Sequence, residues 1–317
     1  MANYLVTGGA GFIGSHLAER LVNEGHAVRV IDNLSTGSIS NMKDFIEKIE
    51  FLNCDIKNLE DCMYACTNID IVFHQAALGS VPRSVDDPIA SNKANVDGTL
   101  NMLWAAKKRG VKRFIFASSS SVYGDNPILP KDERMECLPV SPYAGSKLAC
   151  EHYLRIFYKV YGLDTVSLRY FNVFGPRQNE KGAYACAIPS FIKNVLENKN
   201  PTVFGNGEQS RDFCYVENVV NANILAANTE NKLEGNVINI ACGERTSLNA
   251  ILIKLEDMLD KRIIAMYKDK RPGDVKDTLA DIRAAKEIIG YEPSILFEEG
   301  LKKTVEWYRK NMEKNNG

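Results

Sequence analysis

The sequence predicts an α/β fold, a doubly wound parallel sheet followed by a smaller mixed α/β lobe. Three observations carry that expectation. Short apolar runs alternate with stretches of helical period through the first half of the chain. A glycine-rich turn joins the first apolar run to the first helical stretch. After about Phe171 the alternation weakens and turn residues multiply, at Gly175-Pro176, Pro189, Pro201, Gly205-Asn206-Gly207 and Pro272-Gly273.

Taken in order, Tyr4-Leu5-Val6 reads as a strand, and Ile13 to Asn23 as a helix with Ile13, Leu17, Leu21 and Val22 on one face. Val28–Ile31, Phe51–Cys54 and Ile69–Phe73 are the next strands, followed by a helix from about Ile89 to Lys108. Phe114–Ala117 is a further strand. A helix from Tyr143 to Tyr161 leads to the strand Thr165–Leu168. Apolar strands separated by helices call for a parallel sheet covered on both faces. The expected division is 1–171 for the sheet domain and 172–317 for the second lobe, with part of 211–240 returning to the first. Short strands at Thr202–Phe204 and Val237–Ile240 are assigned to the lobe, and Arg309–Gly317 to a fraying helix end.

Composition bounds the function. The 317 residues are 45% hydrophobic and 25% charged, ordinary for a globular protein, and the net charge of -1 gives no footprint for a nucleic-acid partner. No apolar stretch is long enough to span a bilayer, and Met1-Ala2-Asn3-Tyr4 enters the first strand without a basic or apolar leader, so the expected location is cytoplasmic. The eight cysteines (54, 62, 66, 137, 150, 186, 214, 242) have neither disulfide-framework nor zinc-knuckle spacing, and no metal is expected.

The turn Thr7-Gly8-Gly9-Ala10-Gly11-Phe12-Ile13-Gly14 satisfies G-x-G-x-x-G between a strand and a helix, the Rossmann-type context for a dinucleotide. Glycines let the backbone approach a pyrophosphate, and the helix N-terminus supplies N–H donors. Asp32 ends the second strand about 20 residues further on, where a carboxylate accepts the ribose hydroxyls and repels a 2′-phosphate. NAD is therefore favoured over NADP. A surface turn at Asp32-Asn33 would explain Asp32 by itself but not both features. Asp55 ends the third strand and is a weaker candidate for the adenine amino group, since strand-end aspartates are often turn residues.

Tyr143 and Lys147 sit one helical turn apart, so a cationic lysine lies beside a phenol and favours phenolate. The run Ser118-Ser119-Ser120-Ser121-Val122-Tyr123-Gly124 follows a parallel strand at the end where such sheets bind ligands. Each pattern taken singly also describes an ordinary surface pair or a polar loop.

Together, TGGAGFIG, Asp32, SSSSVYG and Tyr143-x-x-x-Lys147 resemble the extended short-chain dehydrogenase/reductase family, as do LRYFNVFGPRQ (168–178), SRDFCYVENVV (210–220), RPGDV (271–275) and GYEPSILFEEGLKKTVEWY (290–308). Dehydratases and decarboxylases of that family place Asp or Glu just after the catalytic Ser/Thr. Ser120 and Ser121 stand there instead, the pattern of the UDP-hexose 4-epimerases. AALGSVPRS (76–84) and GAYACAIPSF (182–191) are most similar to bacterial UDP-N-acetylglucosamine 4-epimerases.

The resemblance implies Ser119, Tyr143 and Lys147 as the catalytic set. It implies NAD contacts from Gly8, Gly11, Phe12, Ile13, Gly14, Asp32, Asn33, Asp55, Ile56, Ala76, Ala77, Asn95, Tyr143, Lys147 and Tyr170, with Phe171 also on the nicotinamide side. A UDP-sugar would be held by Gly79, Ser80, Ser119, Ser120, Ser121, Tyr143, Asn172, Gln178, Ala187, Phe204, Arg211, Arg271, Asp274 and Thr278. The lysine that some galactose epimerases carry after the fourth strand is missing from Ala77-Leu78-Gly79-Ser80, so the resemblance implies no lysine contact to the NAD ribose there. Small Thr278 implies room for a 2-acetamido group, hence UDP-GlcNAc and UDP-GalNAc. UDP-glucose/galactose and UDP-glucuronate are the alternatives within the class. A non-catalytic NAD-binding sensor or scaffold is the alternative outside it, disfavoured by the intact Tyr and Lys. The resemblance also implies a homodimer built on helices near 90–108 and 143–161.

Overall fold

The computed structural model describes residues 2–179, 186–270 and 276–316, with side chains to 313. Seven parallel strands form the central sheet. Six are β1 (Asn3–Thr7), β2 (Ala27–Ile31), β3 (Glu50–Leu52), β4 (Ile71–His74), β5 (Arg113–Ser119) and β6 (Asp164–Tyr170). The seventh, Asn236–Ile240, pairs with β6, so the spatial order runs seventh, β6, β5, β4, β1, β2, β3. The chain turns back between β1 and β4, and α/β sheets of this order bind ligands outside the strand ends at that reversal.

Residue parity explains the two-sided core. In β1, Leu5 faces one layer while Tyr4 and Val6 face the other; in β5, Phe114 and Phe116 oppose Ile115 and Ala117. The first layer is covered by α2 (Leu59–Ala65) and the helices Gly98–Arg109 and Pro142–Tyr161. The second is covered by α1 (Phe12–Asn23) and the helices Val216–Asn228 and Arg283–Ile289. Truncating a fully buried ring such as Phe114 to alanine costs about 3–5 kcal/mol in such a setting.

The structure sharpens three elements of the sequence expectation. The strand expected at 237–240 pairs with β6 in the main sheet, within the 211–240 stretch of which part is expected to return to the first domain. Its apolar residues Ile238 and Ile240 are fully buried, and a run that short carries no local mark of which sheet it joins. The helix expected over 89–108 is Pro88–Asn92, a π turn at Lys93–Asp97 and Gly98–Arg109. The final helix, Phe297–Asn316, continues through most of the segment read as frayed. Beyond the sheet, Phe174, Phe213, Phe297, Ile251, Leu255 and Leu301 form a separate apolar cluster. No helix among the described residues is long and apolar enough to cross a membrane.

Candidate active site

A cleft of about 1220 Å³ opens over the carboxyl ends of β1 and β4. The glycine turn forms its floor. Gly8 has φ +67°, and a Cβ there would fall 2.8 Å from the Ala76 backbone. A Cβ on Gly14 would fall 2.3 Å from the Gly8 oxygen, so α1 approaches the turn closely only because that atom is missing. Gly11 is the N-cap of α1 and gives no side-chain cap, so the first-turn amides at Phe12, Ile13 and Gly14 are open to an anion from the cleft.

Asp32 lies beside this turn. Its Oδ2 accepts from the Ala10 amide at 3.0 Å and its Oδ1 from the Leu34 amide at 2.8 Å. Burial raises its pKa, and the two amides oppose the rise. Asn33 donates to Asp55 at 3.0 Å, and Lys57 pairs with Asp55 at 3.2 Å. Burial pushes the Asp55 carboxyl up, but the Lys57 amide, Asn33 and the Lys57 ammonium outweigh it and hold it below the usual range. Gly8, Gly11, Phe12, Ile13, Gly14, Asp32, Asn33, Asp55, Ile56, Ala76 and Ala77 all line the cleft. A glycine cradle, uncapped amides and a carboxylate at the end of β2 fit an unphosphorylated dinucleotide such as NAD.

Tyr143 and Lys147, expected from the sequence to be catalytic, also line this cleft. Ser141 caps the helix Pro142–Tyr161, and the Tyr143 amide donates to Ser84 Oγ at 3.0 Å, which fixes where the helix starts. Burial raises the Tyr143 phenol above its ordinary value, and a hydrogen bond with Ser119 opposes the rise. Ser119 ends β5, and its Oγ also accepts from the Ser121 amide at 3.2 Å. Lys147, 3% exposed, donates to the Ala117 carbonyl at 2.7 Å and lies 5.9 Å from the centre of the Tyr143 ring. Burial pulls its pKa down to about 8, with Cys150 and Glu151 working in the other direction. A phenol, a serine hydroxyl and a fixed ammonium so placed can exchange a proton with a ligand alcohol.

Behind them, fully buried His74 bridges Thr7 Oγ1 at 2.8 Å and Thr99 Oγ1 at 3.0 Å, while the Ala76 amide donates to Thr7 Oγ1 at 3.1 Å. Burial, reinforced by the Lys147 charge, lowers the His74 pKa to about 3, so the ring is neutral. The chain has one consistent polarity. Thr99 gives its proton to the Asn95 carbonyl, so it must accept from His74 Nε2–H. His74 Nδ1 then accepts from Thr7.

Not every expected contact reaches the cleft. Asn95 is 1% exposed, with its Oδ1 accepting from the Leu78 amide at 2.8 Å and its Nδ2 donating to Ser146 at 2.9 Å. It clamps the cleft wall to the Tyr143 helix from behind and does not line the cleft. Phe171 is fully buried against Tyr123. Tyr170 does form wall, its hydroxyl held by Asn223 at 2.8 Å and Gln75 at 3.1 Å.

Of the substrate set, Gly79, Ser80, Tyr143 and Gln178 line the cleft, whereas Ser119, Ser120, Ser121, Asn172, Ala187, Phe204, Arg211 and Thr278 lie off its lining. Ser121 Oγ is buried with no hydrogen-bond partner among the described residues. The Thr278 hydroxyl accepts from Asn172 Nδ2 at 3.1 Å and from the Asp212 amide at 3.3 Å, so part of its role is to hold chain together. Arg271 and Asp274 lie outside the described residues. Ser118, Arg177 and Trp307 also line the cleft. The first two adjoin residues singled out from the sequence, and Trp307, on the last helix, has no local signal.

The sequence profile of the NAD dependent epimerase/dehydratase family matches residues 4–241. A UDP-N-acetylglucosamine 4-epimerase from Methanobrevibacter ruminantium M1, solved with UDP-N-acetylmuramic acid, is 44% identical with a TM-score of 0.93, over 98% of this chain and 99% of that one. A UDP-glucuronic acid 4-epimerase from Bacillus cereus, solved with UDP-glucuronic acid and NAD, is 33% identical with a TM-score of 0.91, over 98% and 99%. The UDP-glucose 4-epimerase of Mycolicibacterium smegmatis is 36% identical over 96% of this chain and 98% of its own.

Proposed function

Because the chain belongs to the NAD-dependent epimerase/dehydratase family, we propose that it is an NAD-dependent UDP-sugar 4-epimerase acting on UDP-GlcNAc and UDP-GalNAc. The observation that carries the chemistry is Tyr143 and Lys147 on the wall of the cleft that the glycine turn floors, with Ser119 hydrogen-bonded to the Tyr143 phenol just behind that wall. NAD, when bound, takes a hydride from the sugar C4 and returns it to the other face of the 4-keto sugar.

The protein's own groups handle the proton. Tyr143 removes it from the C4 hydroxyl through Ser119, and the Lys147 ammonium stabilises the phenolate that does so. Residues around Asn172 and Arg211 hold the UDP while the sugar turns beside Thr278, so binding energy at the nucleotide is kept apart from the reacting ring. The N-acetyl preference is supported by small Thr278 and by the likeness to the Methanobrevibacter enzyme. UDP-glucose/galactose and UDP-glucuronate are the alternatives, since enzymes of both kinds are also relatives. The lobes divide near 171, with part of 211–240 belonging to the nucleotide half. A homodimer is proposed from Ile156, Val160 and Tyr161, exposed apolar residues on the helix Pro142–Tyr161. Light scattering reads that state directly.

The test is a panel of UDP-sugars followed by NMR. UDP-GlcNAc should convert fastest, a C4 deuterium should stay in the product, and Tyr143→Phe should abolish turnover while keeping NAD. Faster conversion of another sugar would overturn the substrate, and loss of the label the hydride chemistry.

A further inference from the structure

We propose that Asp212 is a positioning residue for the nucleotide end of the substrate site, its buried carboxylate fixing the mutual placement of Arg211, Asn172 and Thr278. The proposal rests on the UDP-sugar reading above. Asp212 is 0% exposed and follows Arg211 directly. Its Oδ1 accepts from the Cys242 amide at 2.9 Å, and its Oδ2 from the Gly243 and Ala280 amides, both at 3.1 Å. One amide pair lies just beyond the seventh strand and the third donor lies two residues past Thr278. One side chain therefore clamps pieces of chain remote in sequence.

Its backbone completes the knot. The Asp212 amide donates to Thr278 Oγ1 at 3.3 Å, and its carbonyl accepts from Asn172 Nδ2 at 3.3 Å. Arg211 Nη1 donates to the Lys276 carbonyl at 2.7 Å, on the same returning segment. These three links, to Thr278, Asn172 and Lys276, end on residues of the proposed substrate set or on a near chain neighbour of one.

The residue type follows from the donors. A carboxylate only accepts, and here three N–H groups converge on it. A buried carboxylate is costly away from a cation, and among the described residues no Lys or Arg forms an ion pair with Asp212. The titratable groups that feel it are Glu244, the Cys214 thiol and the Tyr291 phenol. Burial raises its pKa to about 6 even against the three amides. Protonation or Asp212→Asn sets a donor against an amide N–H, so either one loosens the clamp.

The test uses NAD-loaded enzyme in the Tyr143→Phe background, where turnover is blocked, with UDP-GlcNAc as probe in calorimetry. Asp212→Asn should weaken UDP-GlcNAc binding about tenfold or more, as expected for lost hydrogen bonds to a charged group. NAD affinity should be unchanged. In the active enzyme the same substitution should raise KM by a similar factor and leave kcat nearly intact. Unchanged UDP-GlcNAc affinity overturns the proposal. Failure of the Tyr143→Phe parent to bind any UDP-sugar overturns the substrate reading instead.

A second measurement needs no Asp212 variant. The pyrophosphate of a UDP-sugar is a diester and keeps its charge across this range, so a pH effect belongs to the protein. UDP-GlcNAc affinity of the Tyr143→Phe parent should fall as pH drops below about 6. Protonation also removes a negative charge near an anionic ligand, which acts in the opposite sense. A flat or rising affinity on acidification therefore overturns the proposal.

Discussion

Glu151 and Arg169 form a buried ion pair one helical turn beyond Lys147, and breaking it should be among the most damaging changes in the molecule. Both side chains are 4% exposed. Arg169 donates Nε to Glu151 Oε1 at 2.9 Å and Nη2 to Oε2 at 2.7 Å, and Ser118, on the cleft lining, donates to Oε1 at 2.5 Å. Arg169 also lies 4.6 Å from the centre of the Tyr123 ring. Glu151→Gln leaves a guanidinium buried without its counter-charge, a loss of about 3–5 kcal/mol. At roughly 2–4 °C per kcal/mol in a chain of this size, Tm should fall by the order of 10 °C. Replacing both residues by apolar ones of similar volume should restore most of the loss, because two charges then no longer need desolvation. Urea unfolding with comparison of midpoints at constant slope measures all three variants. The Glu151 carboxylate also raises the Lys147 pKa, so in Glu151→Gln the alkaline fall in activity should start at lower pH. A single-variant cost under about 1 kcal/mol, or a double variant as weak as the two singles summed, would refute this reasoning.

Further outcomes follow from other contacts. Asp32→Ala should weaken NAD binding about tenfold or more, read by fluorescence titration, because it removes an ionised hydrogen-bond acceptor at the ribose end of the cleft. Gly14→Ala should abolish NAD binding, since its Cβ would meet the Gly8 carbonyl at 2.3 Å and backbone cannot yield cheaply; retained binding would show that the turn has slack. In the wild type, kcat/KM should decline as pH rises through about 8, where Lys147 loses the charge proposed to stabilise a Tyr143 phenolate. Thr278→Tyr should impair UDP-GlcNAc turnover more than UDP-glucose turnover, and equal loss on both would assign Thr278 to the clamp alone.

The sheet and the cofactor end were legible because their signals are local. Leu5, Val72, Phe114 and Val166 sit in apolar runs, and the glycine turn with Asp32 spans one strand–helix–strand unit. What stayed hidden depends on distant partners. Asn95 is expected from the resemblance as an NAD contact, and its joining of Leu78 to Ser146 shows only when those distant partners are seen. Asp212 looks like a turn aspartate until amides from 242, 243 and 280 converge on it. Trp307 reaches the cleft from the last helix, far in sequence from the glycine turn. The strand at 236–240 carries an alternation that suits either lobe, and only pairing with β6 decides where it goes.

That pairing has a consequence for how the chain comes into being. During synthesis, β6 emerges long before its outer neighbour and waits, with one backbone edge unsatisfied, while the 171–235 region is made. An unpaired strand of apolar residues is a template for wrong partners. A fragment ending near 171 should therefore aggregate rather than fold as a free nucleotide-binding domain. The two halves of the enzyme, separable in chemistry, are inseparable in birth.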